Sequence, residues 1–128
     1  MRQSSWRIGI TRDLIQIVAR KGKIEKIDSP DRSLKTRVIK ALNTDGWVST
    51  VGEFAIGVNS KARFTTHFLE TEKIKGSAHI AFGHNLDFPG GKNPSATHMD
   101  FFISNPSVEM RFEDGSSGLV LKNGKLSI

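Results

Sequence analysis

Between Ala78 and Ile103 the chain reads Ala78-His79-Ile80-Ala81-Phe82-Gly83-His84-Asn85-Leu86-Asp87-Phe88-Pro89-Gly90-Gly91-Lys92-Asn93-Pro94-Ser95-Ala96-Thr97-His98-Met99-Asp100-Phe101-Phe102-Ile103. Both ends are short, apolar and rich in strand-forming residues, and Gly, Pro and Asn crowd the middle, so the pattern predicts two strands, Ala78 to Phe82 and His98 to Ile103, around a loop from Gly83 to Thr97. Successive side chains on a strand point to opposite faces. His98 and Asp100 therefore share one face and Met99 takes the other. Such a pair can present an imidazole nitrogen and a carboxylate to one cation, although the His-x-Asp spacing alone is a weak signal that, without other support, a surface pair explains better.

The same reading extends in both directions. Upstream, Val51 to Val58 is apolar and punctuated by glycine, as in a buried strand or the approach to an active site. Before it, Leu14 to Ala19 and Ile24 to Ile27 flank Lys21-Gly22-Lys23 and predict a hairpin, with a further alternating segment at Trp6, Ile8 and Ile10. Ser29-Pro30-Asp31 predicts a helix start with Ser29 as the cap and Pro30 in the first turn. Leu34, Val38 and Leu42 then recur at steps of four along one helix face. Downstream, Asp114-Gly115 and Asn123-Gly124 are turn signals between the short runs Val108 to Phe112, Leu119 to Lys122 and Leu126 to Ile128. The expected fold class is α+β, a mainly antiparallel sheet with one helix. Its 128 residues suit a single domain, in which a basic hairpin and helix (1–50) precede a motif-bearing part (51–128).

The formal charge of +6 is unevenly spread: residues 1–40 hold 11 Lys+Arg against 4 Asp+Glu, and residues 41–128 hold 8 against 9. The excess lies away from the candidate chemistry and points to a basic flank or an assembly surface, not to nucleic acid as substrate, since no aromatic residues interleave with the cations. Leu14 to Ala19 is far short of the ~20 residues that span a bilayer, so no membrane partner and a cytoplasmic location are expected. With no cysteine, thiolate metal sites and Cys nucleophiles are excluded. Any metal must be held by His, Asp or Glu.

Three of the four histidines, His79, His84 and His98, fall within 20 residues beside Asp87 and Asp100. Glu53 stands in the apolar, glycine-flanked Gly52-Glu53-Phe54-Ala55-Ile56-Gly57, where a carboxylate needs a cation or a basic partner. His79, in Gly76-Ser77-Ala78-His79-Ile80-Ala81-Phe82-Gly83, is by itself most simply a core histidine. His67 reads as structural or exposed, and Pro89-Gly90-Gly91-Lys92 lacks P-loop spacing and reads as a loop beside the site.

Gly52 to Asn59, Glu72 to Gly83 and Phe88 to Asp100 together resemble the metal-binding C-terminal region of aminopeptidase T-type metallopeptidases, over about Val51 to Met110. The resemblance implies divalent cations (Zn, Co, Mn or Fe) at a paired site, with Glu53, His79, His98 and Asp100 in ligand positions and Glu53 shared. Family members carry a tyrosine shortly after the histidine motif. This chain has no Tyr; Leu86 stands about there, with His84 and Asp87 as replacements and His84 a further candidate ligand. The family site also takes a Glu from well upstream of the first motif, outside this chain, so the implied site is incomplete.

Three functions follow as expectations. The first is metal-dependent hydrolysis of N-terminal residues from peptides. The second is a mononuclear non-haem iron dioxygenase, since His79, His98 and Asp100 are two histidines and a carboxylate and ring-cleaving dihydroxypyridine dioxygenases resemble the same family. The third is an inactive metal-binding remnant that works by assembly. A peptide or small molecule is the expected substrate, and exposed strand edges predict a homo-oligomer, most simply a homodimer.

Overall fold

The computed structural model describes residues 14–63 and 73–127. The segment around Trp6 and Ile8 and His67 lie outside these residues. The elements are β1 (Gln16–Arg20), β2 (Lys23–Asp28), α1 (Arg32–Ala41), β3 (Val51–Ile56), β4 (Ala78–Gly83), β5 (His98–Ile103), β6 (Val108–Arg111), β7 (Ser117–Lys122) and β8 (Lys125–Leu126). They form three small sheets, ordered β1-β2, β3-β4-β5 and β6-β7-β8. The β1-β2, β6-β7 and β7-β8 pairs are antiparallel. The fold is thus a sheet-dominated α+β arrangement with one helix among the described residues, and no helix there is long and apolar enough to cross a membrane.

Local chemistry accounts for the turns. Lys21 (φ 51°) and Gly22 (φ 79°) at the β1-β2 turn, and Asn123 (φ 49°) and Gly124 (φ 78°) at the β7-β8 turn, are left-handed pairs, the backbone that a two-residue hairpin with right-twisted strands requires. On α1, Leu34 and Val38 are fully buried and Leu42 at the C-cap joins them, so the predicted stripe of four-residue steps is the packed face. The start of the helix differs from the sequence expectation. The cap is Asp31, whose Oδ1 accepts from the Leu34 amide at 3.1 Å, while Ser29 Oγ accepts from the Asp31 amide one step earlier. Pro30 consequently precedes the cap and is not in the first turn. A carboxylate reaching the N3 amide also meets the positive end of the helix, an advantage that a Ser29 cap lacks. The helix is tied to β2 where Asp28 accepts from the Ser29 amide (2.9 Å) and pairs with Lys35 (3.3 Å); both hold its carboxyl below the usual range.

The chain sorts into two compact units. One comprises the residues up to Glu53 together with Ile80–Asp100, and the other comprises Phe54–His79 together with the residues from Phe101 onward. In the first unit, α1 buries Leu34, Val38, Ala41 and Leu42 in a core that also contains Val48, Ala81, Phe82 and Met99. In the second, Ala78 and Leu121 are the fully buried aliphatic side chains.

Asp31→Ala removes the cap acceptor and is expected to cost about 1 kcal/mol, a fall of a few degrees in thermal midpoint. Asp31→Asn, which keeps an acceptor at the cap, should retain most of that stability in the same melting experiment.

Candidate metal centre

The first unit brings Glu53, His98 and Asp100 together, with one ligating atom of each within 4.8 Å of the others. Asp100 follows His98 by two residues on β5, so the pleat puts both on one face. Glu53 comes from the part of β3 that belongs to the same unit. His98 Nε2 lies 3.2 Å from Asp100 Oδ1 and 3.6 Å from Glu53 Oε2. The His98 side chain is 2% exposed and the two carboxylates 20% each, so the imidazole forms the floor and the carboxylates the rim.

The other ring nitrogen fixes this orientation. His98 Nδ1 contacts the His84 carbonyl at 2.6 Å, and because a carbonyl only accepts, Nδ1 carries a hydrogen and Nε2 is the nitrogen directed at the carboxylates. A ligand imidazole anchored through its far nitrogen is the usual arrangement around protein-bound metals. Phe88 stacks on the His98 ring, with centroids 6.3 Å apart and planes inclined by 22°.

The loop after β4 carries both supports, and it is pinned by side chain to backbone bonds. Gly83 ends β4 at φ 99°, and a Cβ there would run into the Thr97 carbonyl, the group that accepts the His84 amide at 2.7 Å. Asn85 accepts from the Asn93 amide (2.9 Å) and donates to the Gly52 carbonyl (3.1 Å) beside Glu53; Asn93 donates to the Val51 carbonyl (3.1 Å). Asp45 holds the far end. Its Oδ1 accepts from the Trp47 and Val48 amides, and its Oδ2 from Ser95 Oγ (2.8 Å) and the Ala96 amide (3.0 Å). Burial pushes the Asp45 carboxyl up, but the Ser95 hydroxyl and these amides outweigh it and hold the carboxyl below its ordinary value.

Of the five candidate ligands, Glu53, His98 and Asp100 meet. His84 does not enter the trio with its ring: Nδ1 donates to the Ser95 carbonyl (3.2 Å) and Nε2 faces Asp87 Oδ2 at 3.4 Å. What His84 gives the centre is its carbonyl. His79 is buried on β4, in the stretch that belongs to the other compact unit. Leu86, at the tyrosine position, is exposed. The sequence reading passed over Asp45, Phe88 and the Asn85–Asn93 pair; the only trace they leave is the unusual density of Asn, Ser and Gly in the loop.

The Asp100 carboxylate at hydrogen-bond distance raises the His98 pKa most. Burial opposes it, and the His84 carbonyl and the Glu53 charge add to it, with a result of about 9 against an ordinary 6.5. In the metal-free protein an imidazolium therefore sits between two carboxylates at neutral pH. A divalent cation that displaced the Nε2 proton would leave two negative oxygens and a neutral nitrogen around two positive charges, which balances the site. Imidazole and carboxylate donors both serve first-row divalent ions, but one histidine and two carboxylates differ from the two-histidine, one-carboxylate set of His79, His98 and Asp100 that the sequence suggested for a non-haem iron oxygenase.

No known family profile matches the chain, and no curated protein matches it in sequence. Among solved structures, 2,5-dihydroxypyridine dioxygenase from Pseudomonas putida KT2440 is similar in fold, with a TM-score of 0.66 at 21% sequence identity over 91% of this chain. The match takes in 34% of that enzyme, so the chain spans about a third of its length. At that identity the likeness establishes the fold.

Two outcomes follow from the geometry. The folded-state pKa of His98 is raised, so its contribution to the stability of the metal-free protein is complete below about pH 6.5 and is lost as pH rises through about 9, up to about 3 kcal/mol in all; urea unfolding across pH 6–10 reads this directly. Conversely, metal affinity should rise by about tenfold per pH unit up to pH 9, with about one proton released per cation at pH 7, as calorimetry in buffers of different ionisation enthalpy measures. Separately, Asp45→Ala should cost about 2 kcal/mol, because it leaves the loop amides without their acceptor.

Proposed function

We propose that this chain carries a mononuclear divalent-metal centre at Glu53, His98 and Asp100, that the metal is iron, and that the centre serves dioxygenase-type chemistry on a dihydroxylated aromatic compound. The observation that carries the proposal is the convergence of two carboxylates on a buried imidazole whose far nitrogen is fixed by a backbone carbonyl, in a chain similar in fold to about a third of a dioxygenase. Three protein donors leave positions open on an octahedral ion, which suits an iron that must take both an aromatic substrate and dioxygen.

Bound iron(II) would supply the redox chemistry that lets dioxygen react with a ring. The chain's residues provide the setting. Glu53 and Asp100 neutralise the cation and fix its position on the rim. His98 gives a neutral Nε2 once its proton has been displaced. The His84 carbonyl keeps that ring from turning, and Phe88 covers its face and keeps water from it. A paired-metal aminopeptidase site would need donors for a second cation in addition to this trio.

The test is anaerobic loading with iron(II), metal analysis, and oxygen-electrode assays with 2,5-dihydroxypyridine and other dihydroxylated rings. One iron per chain and substrate-dependent oxygen uptake are expected. Glu53→Gln, His98→Ala and Asp100→Asn should each weaken iron binding by at least tenfold and abolish uptake. Iron retained equally in all three variants would overturn the site. Release of amino acids from aminoacyl substrates without oxygen uptake would return the reading to the peptidase.

A further inference from the structure

The second compact unit contains a cleft of about 590 Å³ lined by Ser60, Lys75, Gly124, Lys125 and Leu126. That volume lies within the ~300–1,000 Å³ of small-molecule sites. Its two lysines lie fifty residues apart in sequence, Lys75 in a turn and Lys125 at the start of β8 directly after one, and glycine brings them together. Gly76 (φ 81°), directly after Lys75, lies so close to the turn preceding Lys125 that a Cβ on it would strike the Gly124 carbonyl. A Cβ on Gly124 (φ 78°) would come within 2.9 Å of Asn105 Oδ1 and 3.2 Å of the Gly76 carbonyl. Both turns are further tied down. The Lys75 amide donates to the Asn59 carbonyl (3.0 Å), the Gly124 amide donates to the Pro106 carbonyl (2.8 Å), and the Asn123 amide donates to Ser107 Oγ (3.1 Å). The lysine side chains thus project from backbone that is already fixed, which lowers the entropic cost of gathering two cations around a ligand.

Among the described residues neither ammonium has a carboxylate partner and no acidic residue lines the cleft. Two like charges facing one space repel each other unless an anion fills it. Ser60 adds a hydroxyl donor to the lining, and Leu126, 40% exposed, adds an apolar side chain.

We propose that this cleft binds the phosphate group of a small organic phosphomonoester, with Lys75 and Lys125 compensating its charge, Ser60 donating to one of its oxygens, and Leu126 against its organic part. A phosphomonoester carries about −1.5 to −2 at neutral pH and matches two ammoniums, whereas a monocarboxylate leaves one uncompensated. The site is independent of the metal centre, so either can fail without the other.

The probes are phenyl phosphate, inorganic phosphate and benzoate, titrated into the ¹⁵N-labelled full chain. Saturable shifts confined to the amides around Ser60, Lys75 and Gly124 to Leu126 are expected with phenyl phosphate, weaker ones with inorganic phosphate, and none that saturate with benzoate. Lys75→Met and Lys125→Met, surface changes that should leave the fold intact, should each reduce phenyl phosphate affinity at least fivefold and together at least twentyfold. Leu126→Ser should remove the preference for phenyl over inorganic phosphate. Shifts spread over the basic residues of β1, β2 and α1, or affinity unchanged in the double lysine variant, would overturn the proposal, as would equal binding of benzoate.

Discussion

The hydrogen bond from His98 Nδ1 to the His84 carbonyl is the constraint on which the metal centre depends. It settles the tautomer, and with Nδ1 committed the ring can present only Nε2 to Glu53 and Asp100. The acceptor lies fourteen residues earlier, at the first step of a loop, so its position is only as good as the closure of that loop. Closure is secured at both ends by groups with no part in metal chemistry: the turn at Gly83 against Thr97, the exchange between Asn85 and Asn93, and the Asp45 carboxylate under Ser95 and Ala96. Loops of this length vary in conformation unless their buried polar groups find partners. Here the partners lie on β3 beside Glu53, so the bonds that close the loop also set the third ligand against the other two.

Charge explains why the trio is polar at all. A hydrophobic pocket of similar size would fold with less cost than a histidine held between two carboxylates, since burying ionic groups seldom gains net stability over apolar packing. Groups arranged so that a proton and a metal compete for one nitrogen do have a use in binding a cation reversibly. The raised His98 pKa and the suitability of the trio for a cation thus have one origin, two carboxylates converging on Nε2.

Much of this was legible in the sequence wherever one period or one turn rule decides the outcome. The His98–Asp100 pair follows from strand alternation, the buried stripe of α1 from its four-residue steps, and the β7-β8 turn from Asn123-Gly124. Glu53 stood out because its apolar, glycine-flanked setting leaves a carboxylate short of partners. The helix cap was misplaced by two residues because Ser29 and Asp31 are both good acceptors, and only the backbone path decides which of them reaches Leu34. The role of His84 was hidden for a different reason. A main-chain carbonyl has no residue signature, and the ring that does have one is turned toward Ser95 and Asp87. Asp45, Asn85 and Asn93 act through bonds spanning 8 to 51 residues, a separation that leaves no local pattern.

Hydrolytic and oxidative metal sites draw on the same side chains, so the donor types do not by themselves choose between the two chemistries. A hydrolytic centre needs a cation that lowers the pKa of water, and zinc with three ligands does this. An oxygenase needs a metal that changes oxidation state and has room for two more ligands. The number of metals separates the readings more sharply. Glu53 as a bridging carboxylate would require a second cation with ligands of its own, yet in the first unit His98 and Asp100 both turn to the side on which Glu53 already meets them, and the His84 ring is occupied elsewhere. One ligating atom of each of the three residues lies within 4.8 Å of the others, a span that one ion would fill. That geometry suits a single ion better than a pair, whichever of the two chemistries it serves.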